Sequence, residues 1–139
     1  MKCYYPIYLI IIVSFLIACE KDDICAETNP TTPQLVITFK DTNNTTESKA
    51  VESLGVYAIK NNELILIESI NGINTDSIAI PLRNDIEISD FKFYKNYSLI
   101  DGVIEGEENH IYLDYNIVEV FVSRACGFIN NYIDLSVFN

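Results

Sequence analysis

Hydrophobic and polar positions alternate with a period of two over much of the chain after residue 33. Residues 34–40 (QLVITFK) and 110–116 (HIYLDYN) set apolar odd positions against more polar even ones. Residues 117–126 (IVEVFVSRAC) also alternate, with the even positions 118, 120, 122, 124 and 126 on the inward parity. Such a period places successive side chains on opposite faces of a β-strand. No stretch of helix length after residue 18 has apolar residues at a 3.6-residue spacing. The pattern therefore predicts an all-β domain.

Turn signals separate the shorter apolar runs. Further strands are predicted within residues 51–60, 63–67, 77–82, 91–97 and 133–138. Asn61-Asn62, Asn71-Gly72 and Asp101-Gly102 are predicted turns, since Asn, Asp and Gly accept positive φ. Polar composition predicts loops at residues 41–48 and 105–109. Seven or eight strands at this spacing indicate an antiparallel β-sandwich of immunoglobulin-like type, with a small closed barrel as the alternative. The chain has no Trp, so it lacks the Cys–Trp–Cys arrangement of true immunoglobulin domains.

The first eighteen residues follow a different pattern. Lys2 precedes an uncharged, mostly apolar run of twelve residues from Ile7 to Ala18. A positive start, an apolar segment and a small final residue are typical of a secretory signal peptide, which we expect to be helical. A permanent transmembrane helix would need about 20 apolar residues. The run is therefore too short, and a signal peptide is the better interpretation.

Residues 16–19 (LIAC) resemble the lipobox of bacterial lipoproteins. The resemblance implies that the chain is cut before Cys19, whose thiol receives diacylglycerol and whose new amine is acylated by a chain such as palmitate. Three acyl chains anchor firmly, whereas one gives only marginal membrane binding. Lys21, Asp22 and Asp23 resemble the tag that directs lipoproteins of bacteroidete-type bacteria across the outer membrane. We expect an outer-membrane lipoprotein at the cell surface, with the periplasmic face as the alternative.

Stretches elsewhere in the chain resemble a family of small exported lipoproteins from bacteroidete-type bacteria that has no assigned activity. The matching stretches are residues 19–25 (CEKDDIC), 32–37 (TPQLVI), 80–82 (IPL) and 123–128 (SRACGF). The resemblance implies an all-β exported lipoprotein and offers no catalytic residues. We therefore divide the chain into a signal peptide (1–18), a lipidated flexible tether (19–33) and a β-sandwich domain (34–139).

The negative net charge of the chain argues against nucleic acids and anionic lipids as direct partners. Lys2 is the only charged residue of the signal peptide, so its removal changes the formal charge from −11 to −12. Nucleic acids and anionic lipids are bound by clustered Lys and Arg, which this chain lacks. We expect membrane attachment only through Cys19, an envelope protein or glycan as partner, and no cofactor.

Two cysteines remain after the signal peptide and the lipid anchor are assigned. Exported chains fold in an oxidising compartment, so Cys25 and Cys126 are a candidate disulfide pair. The bridge would close a loop of about 100 residues, for which the chain-entropy model gives about 4.7 kcal/mol. Two separate buried thiols, or a link to a partner protein, are the alternatives. With His110 the two cysteines do not complete a four-ligand metal set, so no metal site is expected.

Candidate chemistry is concentrated in one acidic segment. Carboxylates between Glu105 and Asp114 could bind Ca²⁺ or act as the acid pair of a hydrolase, although neither a calcium-loop spacing nor a distinguished pair is present. Further members of this segment are Asp101, Glu107 and Glu108. Cys126 and His110 could form a nucleophilic pair only if the thiol were reduced.

Three weaker features complete the candidates. Residues 76–78 (DSI) resemble the acceptor site for O-glycans of bacteroidete-type exported proteins, so Ser77 is a candidate modification site. Arg124, on the inward parity of its predicted strand, could bind a ligand, but the better interpretation places it at the strand end, where its charge reaches solvent or pairs with an acid. The nine Tyr and seven Phe are better explained by core packing than by a sugar-binding platform. We expect a non-enzymatic binding or scaffold module, with an accessory hydrolase as the alternative.

Overall fold

A computed structural model describes residues 24–139, and the predicted signal peptide lies outside them. The strands are β1 Leu35–Thr38, β2 Val51–Lys60, β3 Glu63–Thr75, β4 Ser77–Ile80, β5 Ile88–Ile100, β6 Val103–Ser123 and β7 Gly127–Phe138. Strands β1 and β4 form a two-stranded antiparallel sheet, and the other five strands form a second sheet in the order β3-β2-β5-β6-β7. The two sheets pack together as a β-sandwich, so the predicted fold class is confirmed. Within residues 24–139 there is no helix long and apolar enough to cross a membrane.

The described residues belong to two compact units. The smaller unit combines the residues up to Thr31 with Phe121–Ile129, and the larger unit combines Thr32–Val120 with Asn130–Asn139.

In the five-stranded sheet β2 and β3 are neighbours, as are β5 and β6 and then β6 and β7. Immunoglobulin domains differ, because they place their second and third strands in opposite sheets.

Two of the predicted turns are confirmed, and both owe their shape to local backbone preference. Asn61 and Asn62 have φ values of 53° and 65°, and they join β2 to β3. Asp101 and Gly102 have φ values of 50° and 80° between β5 and β6. Positive φ at both central residues is the requirement of the type I′ hairpin, whose twist matches that of the flanking strands. These short turns bring β3 beside β2 and β6 beside β5.

Other predicted boundaries are wrong. The pair Asn71-Gly72 lies inside β3, where Gly72 (φ 67°) is the extra residue of a bulge between the partners of Leu54 and Gly55. Residues 105–109 are not a loop but part of β6. The two strands predicted over residues 110–126 are one, and it ends at Ser123. Polar composition misleads here because backbone hydrogen bonds to β5 determine the strand, whatever the exposed side chains are.

The core lies between the two sheets. Antiparallel partners point to the same face, so the pairs Val56–Phe93 and Phe91–Ile111 place their side chains on the face that meets the small sheet. The buried members of this core are Leu54, Val56, Ile70, Ile78, Ile80, Phe91, Phe93, Leu113 and Tyr115. The predicted apolar face of β6 at residues 111, 113 and 115 is therefore confirmed. The inward parity predicted for residues 118 and 120 is wrong, because both valines are exposed and Ile117, of the opposite parity, packs against the core.

Candidate functional site

The smaller unit contains the predicted cysteine pair. Cys25 and Cys126 form a disulfide bond whose Cα atoms lie 4.8 Å apart, inside the range of roughly 4.4–6.8 Å that such bonds span. The side-chain amide of Asn29 donates to Cys126 Sγ at 3.1 Å, and the Cys126 N–H donates to Ser123 Oγ at 3.1 Å. The predicted disulfide is confirmed. A bonded Cys126 has no free thiol, so it cannot act as a nucleophile with His110.

The turn between β6 and β7 carries the remaining features of this unit. Arg124 is exposed in the turn, one residue beyond the end of β6, which agrees with its predicted place at a strand end and not with an inward strand face. Phe121 and Phe128 flank the turn, and their ring centroids lie 5.2 Å apart in an edge-to-face arrangement. Both rings are more than half exposed. The two rings form a small exposed apolar surface on the strands that flank the turn.

The predicted anchor and export tag lie outside the described residues. These are Cys19, Lys21, Asp22 and Asp23. Lipidation and surface export therefore stay predictions.

Ser77 is the first residue of β4 and is exposed. Its backbone N–H donates to Thr75 Oγ1 at 3.2 Å, and the Thr75 hydroxyl donates to the Ser77 carbonyl at 2.6 Å. Both bonds use backbone groups of Ser77, and neither uses its side-chain hydroxyl. The side chain is accessible to a modifying enzyme, and its glycosylation stays a prediction.

The acidic segment is distributed along β6 and does not converge on one point. Glu107 and Glu108 are successive strand residues on opposite faces, paired with Lys95 at 3.3 Å and Lys92 at 2.8 Å. His110 bonds Asp90 on the neighbouring strand. Among the described residues, no group of three His, Cys, Asp or Glu side chains could share a metal ion. The arrangement resembles cross-strand charge pairing more than an acid–base site.

Glu108 connects this charge row to a cluster of tyrosines. The Lys92 ammonium and then the Tyr94 hydroxyl hydrogen-bond its carboxylate and lower the pKa of Glu108. The Tyr94 hydroxyl donates to Glu108 Oε2 at 2.6 Å. Burial, helped by this bond, raises the pKa of Tyr94 to about 12. The carboxylate therefore stays ionised and the phenol protonated near neutral pH.

The tyrosine cluster comprises Tyr57, Tyr94 and Tyr97, and it covers the face of the five-stranded sheet opposite the core. The hydroxyls of Tyr57 and Tyr97 are hydrogen-bonded at 2.7 Å. Burial followed by this bond raises the pKa of Tyr57 to about 12. The Tyr97 ring lies so close to Gly55 that a Cβ there would be 2.5 Å from its Cγ. Sequence reasoning assigned the aromatics to one core and missed this second cluster, although the parity of residue 57 pointed away from Leu54.

Ser89 is a buried hydroxyl that the sequence did not single out. The Arg83 N–H donates to Ser89 Oγ at 2.9 Å, and the Tyr115 hydroxyl donates to the Arg83 carbonyl at 2.9 Å. Ser89 Oγ lies 2.7 Å from that same Tyr115 hydroxyl and donates to it. The Ser89 hydroxyl, the Tyr115 hydroxyl and the Arg83 backbone groups therefore all have hydrogen-bond partners, so the buried serine has a structural explanation.

The outer edge of β7 is a further surface feature. We call residues 133–138 the β7 edge segment; all six are exposed, and the apolar members are Ile133, Leu135, Val137 and Phe138. Val137 and Phe138 are 59% and 55% exposed. The single charge, Asp134, accepts a hydrogen bond from the Asn116 amide at 3.1 Å. The segment is thus an apolar edge with little charge.

The larger unit also contains shallow cavities at either end of β2. One of about 250 Å³ lies near the start of β2 beside Val51, Leu54 and Phe93, with Lys95 and Asn109 in its lining. Another of about 170 Å³ lies near the end of β2 beside Ala58 and Phe91. Ligand pockets usually measure about 300–1,000 Å³. Both cavities are smaller than that and mostly apolar in their lining.

No family model, curated protein or solved structure matches this chain. Its function must therefore be inferred from the surfaces described above. Two of them are apolar and exposed: the turn between β6 and β7, and the β7 edge segment.

Proposed function

We propose that this chain is a lipid-anchored envelope protein that serves as a non-enzymatic binding module, with the β7 edge segment as its protein-binding site. The observation that carries the proposal is the exposure of Ile133, Leu135, Val137 and Phe138 along one edge strand. Contiguous apolar patches on soluble proteins usually mark interaction sites.

Strand addition is the binding mode that suits this edge. β7 ends the order of the five-stranded sheet, so within the described chain only β6 neighbours it. An edge strand presents backbone N–H and C=O groups to which an extended peptide can hydrogen-bond, while its alternate side chains supply specificity. Thr32 Oγ1 already accepts a hydrogen bond from the Asn130 N–H at 3.2 Å. The accessible length therefore begins beyond that residue, where the β7 edge segment lies.

The acidic residues favour a binding module over a hydrolase. A paired-carboxylate hydrolase holds two carboxyl groups across a substrate cleft. Here Glu107 and Glu108 lie on opposite faces of β6, and each pairs with a lysine of β5. Exposed pairs of this kind contribute about 0–1 kcal/mol each, and their simplest role is to keep neighbouring strands in register and the face soluble.

Site-specific photo-cross-linking in intact cells tests the proposal. A photoreactive residue at Val137 should give a discrete cross-linked product with one envelope protein. The matched control is Val36, which is 65% exposed on β1. Val137→Lys should abolish the product formed from a probe at Leu135, because a charge at the edge opposes strand addition. Equal products from positions 36 and 137, or none from 137, would contradict the assignment.

A further inference from the structure

The smaller unit differs from the rest of the chain in charge. Its described residues contain one acid, Glu27, and one base, Arg124, and are together neutral, while Glu20, Lys21, Asp22 and Asp23 just before them add a net charge of −2. The larger unit has sixteen acidic and six basic residues, a net charge of −10. A neutral surface can approach an anionic lipid head group without the repulsion that the larger unit experiences.

The exposed side chains of this unit suit a lipid interface. Ile24 is 82% exposed, and the rings of Phe121 and Phe128 are 55% and 60% exposed. Apolar and aromatic side chains of this kind partition into the boundary between head groups and acyl chains, and a nearby cation adds attraction to lipid phosphate. Arg124 supplies that cation from the turn that the two rings flank.

Covalent geometry limits how far this turn can lie from the anchor. Cys25 lies six residues after Cys19, and an extended chain spans at most about 3.6 Å per residue, or about 22 Å in all. The disulfide then places the Cα of Cys126 4.8 Å from that of Cys25. The turn between β6 and β7 is thus held within about 27 Å of the lipidated residue, a distance set by covalent bonds.

We propose that the turn between β6 and β7 docks on the lipid bilayer, with Phe121, Phe128 and Ile24 inserted at the interface and Arg124 at the lipid phosphates. The inference rests on lipidation of Cys19, which belongs to the proposed function. It assigns the smaller unit a role distinct from that of the β7 edge segment: the disulfide-tied turn contacts the membrane, and the edge binds the partner.

Tryptophan fluorescence tests this docking directly, because the chain has no Trp of its own. The full-length protein, purified from the membranes of the cells that produce it, would be reconstituted in vesicles of phosphatidylethanolamine and phosphatidylglycerol with brominated acyl chains. Phe128→Trp should show a blue-shifted emission and several-fold stronger quenching than Phe138→Trp, a control ring of similar exposure in the larger unit. Adding Arg124→Glu to Phe128→Trp should weaken the quenching.

Flotation of the same samples separates the two possible failures. If the protein floats with the vesicles but the Phe128→Trp variant is quenched no more than the Phe138→Trp variant, the anchor stands and the docking proposal is overturned. If the protein does not float, lipidation fails and the docking proposal falls with it. Strong quenching of both variants also contradicts the proposal, since it would mean that the turn has no preference for the membrane.

Discussion

The close approach of Gly55 to Tyr97 makes Gly55→Ala a sharp test of the packing on the outer face. A Cβ built at Gly55 would lie 2.5 Å from Cγ, 2.6 Å from Cδ2 and 3.0 Å from Cβ of Tyr97. These separations are far below the ordinary carbon–carbon contact of about 3.5–4.0 Å. The ring cannot withdraw freely, because the Ser53 hydroxyl donates to the Tyr97 carbonyl at 2.7 Å and Tyr97 is only 8% exposed.

Two opposing effects determine how Gly55→Ala changes the free energy of unfolding. Replacing a glycine by alanine in an ordinary backbone conformation stabilises by about 0.4–1 kcal/mol, through the unfolded chain. Overpacking a buried site costs about 1–3 kcal/mol, and displacing Tyr97 leaves the buried Tyr57 hydroxyl without its partner, for about 1–3 kcal/mol more. We therefore expect Gly55→Ala to lower the free energy of unfolding by about 2–4 kcal/mol.

A double-mutant cycle with Tyr97→Ala tests whether contact with the Tyr97 ring causes the loss of stability in Gly55→Ala. Guanidinium unfolding of residues 24–139, followed by near-ultraviolet circular dichroism of the tyrosines, gives the free energy for each variant. When residue 97 is alanine the ring contacts are gone, so Gly55→Ala should become neutral or slightly stabilising. An equal loss in both backgrounds would refute the reasoning, since the cost would then arise from the backbone of β2 and not from the ring.

Three further predictions concern the bridge, the buried phenols and the anchor. Cys25→Ala with Cys126→Ala should lower the free energy of unfolding by up to about 4.7 kcal/mol while far-ultraviolet circular dichroism keeps its β spectrum; thiol titration of the unreduced, unfolded parent should find neither thiol free. Folding raises the pKa of Tyr57 and Tyr94 from 10.0 to about 12. The stability they contribute is therefore fully present below about pH 10 and should be lost as the pH rises from about 10 to 12, and spectrophotometric titration of Tyr57→Phe and Tyr94→Phe should each show one late-ionising phenol fewer than the parent. Cys19→Ser should leave an unprocessed precursor that incorporates no labelled fatty acid; normal processing would disprove lipidation.

Local chemistry explains what could be predicted in advance. The inward set Ile111, Leu113 and Tyr115 follows from a period of two, which any β-strand imposes on its side chains. The hairpins at Asn61-Asn62 and Asp101-Gly102 follow from residues that accept positive φ. The disulfide followed from the two cysteines that remain once Cys3 and Cys19 are assigned to the predicted signal peptide and lipid anchor.

Predictions from local composition were wrong where pairing with a neighbouring strand determined the structure of the segment. Asn71-Gly72 has the composition of a turn, but its partners on β2 continue past it, so Gly72 becomes a bulge and β3 runs on. Residues 105–109 have the composition of a loop, yet Lys92 and Lys95 on β5 oppose their acids and the strand persists. No pattern within either segment contains this information, because it belongs to the neighbouring strand.

The sequence by itself therefore determined the fold class, the apolar face of β6 at residues 111–115, two turns and the cysteine pair, all of which depend on short-range periodicity, backbone preference or residue count. Tertiary structure alone decided that Tyr97 lies on Gly55, that the acids of β6 are paired on both faces, and that β7 is left as an exposed edge. These features depend on which strands become neighbours. That choice is made by the burial of the whole apolar surface between the sheets, to which every strand contributes and which no single segment specifies.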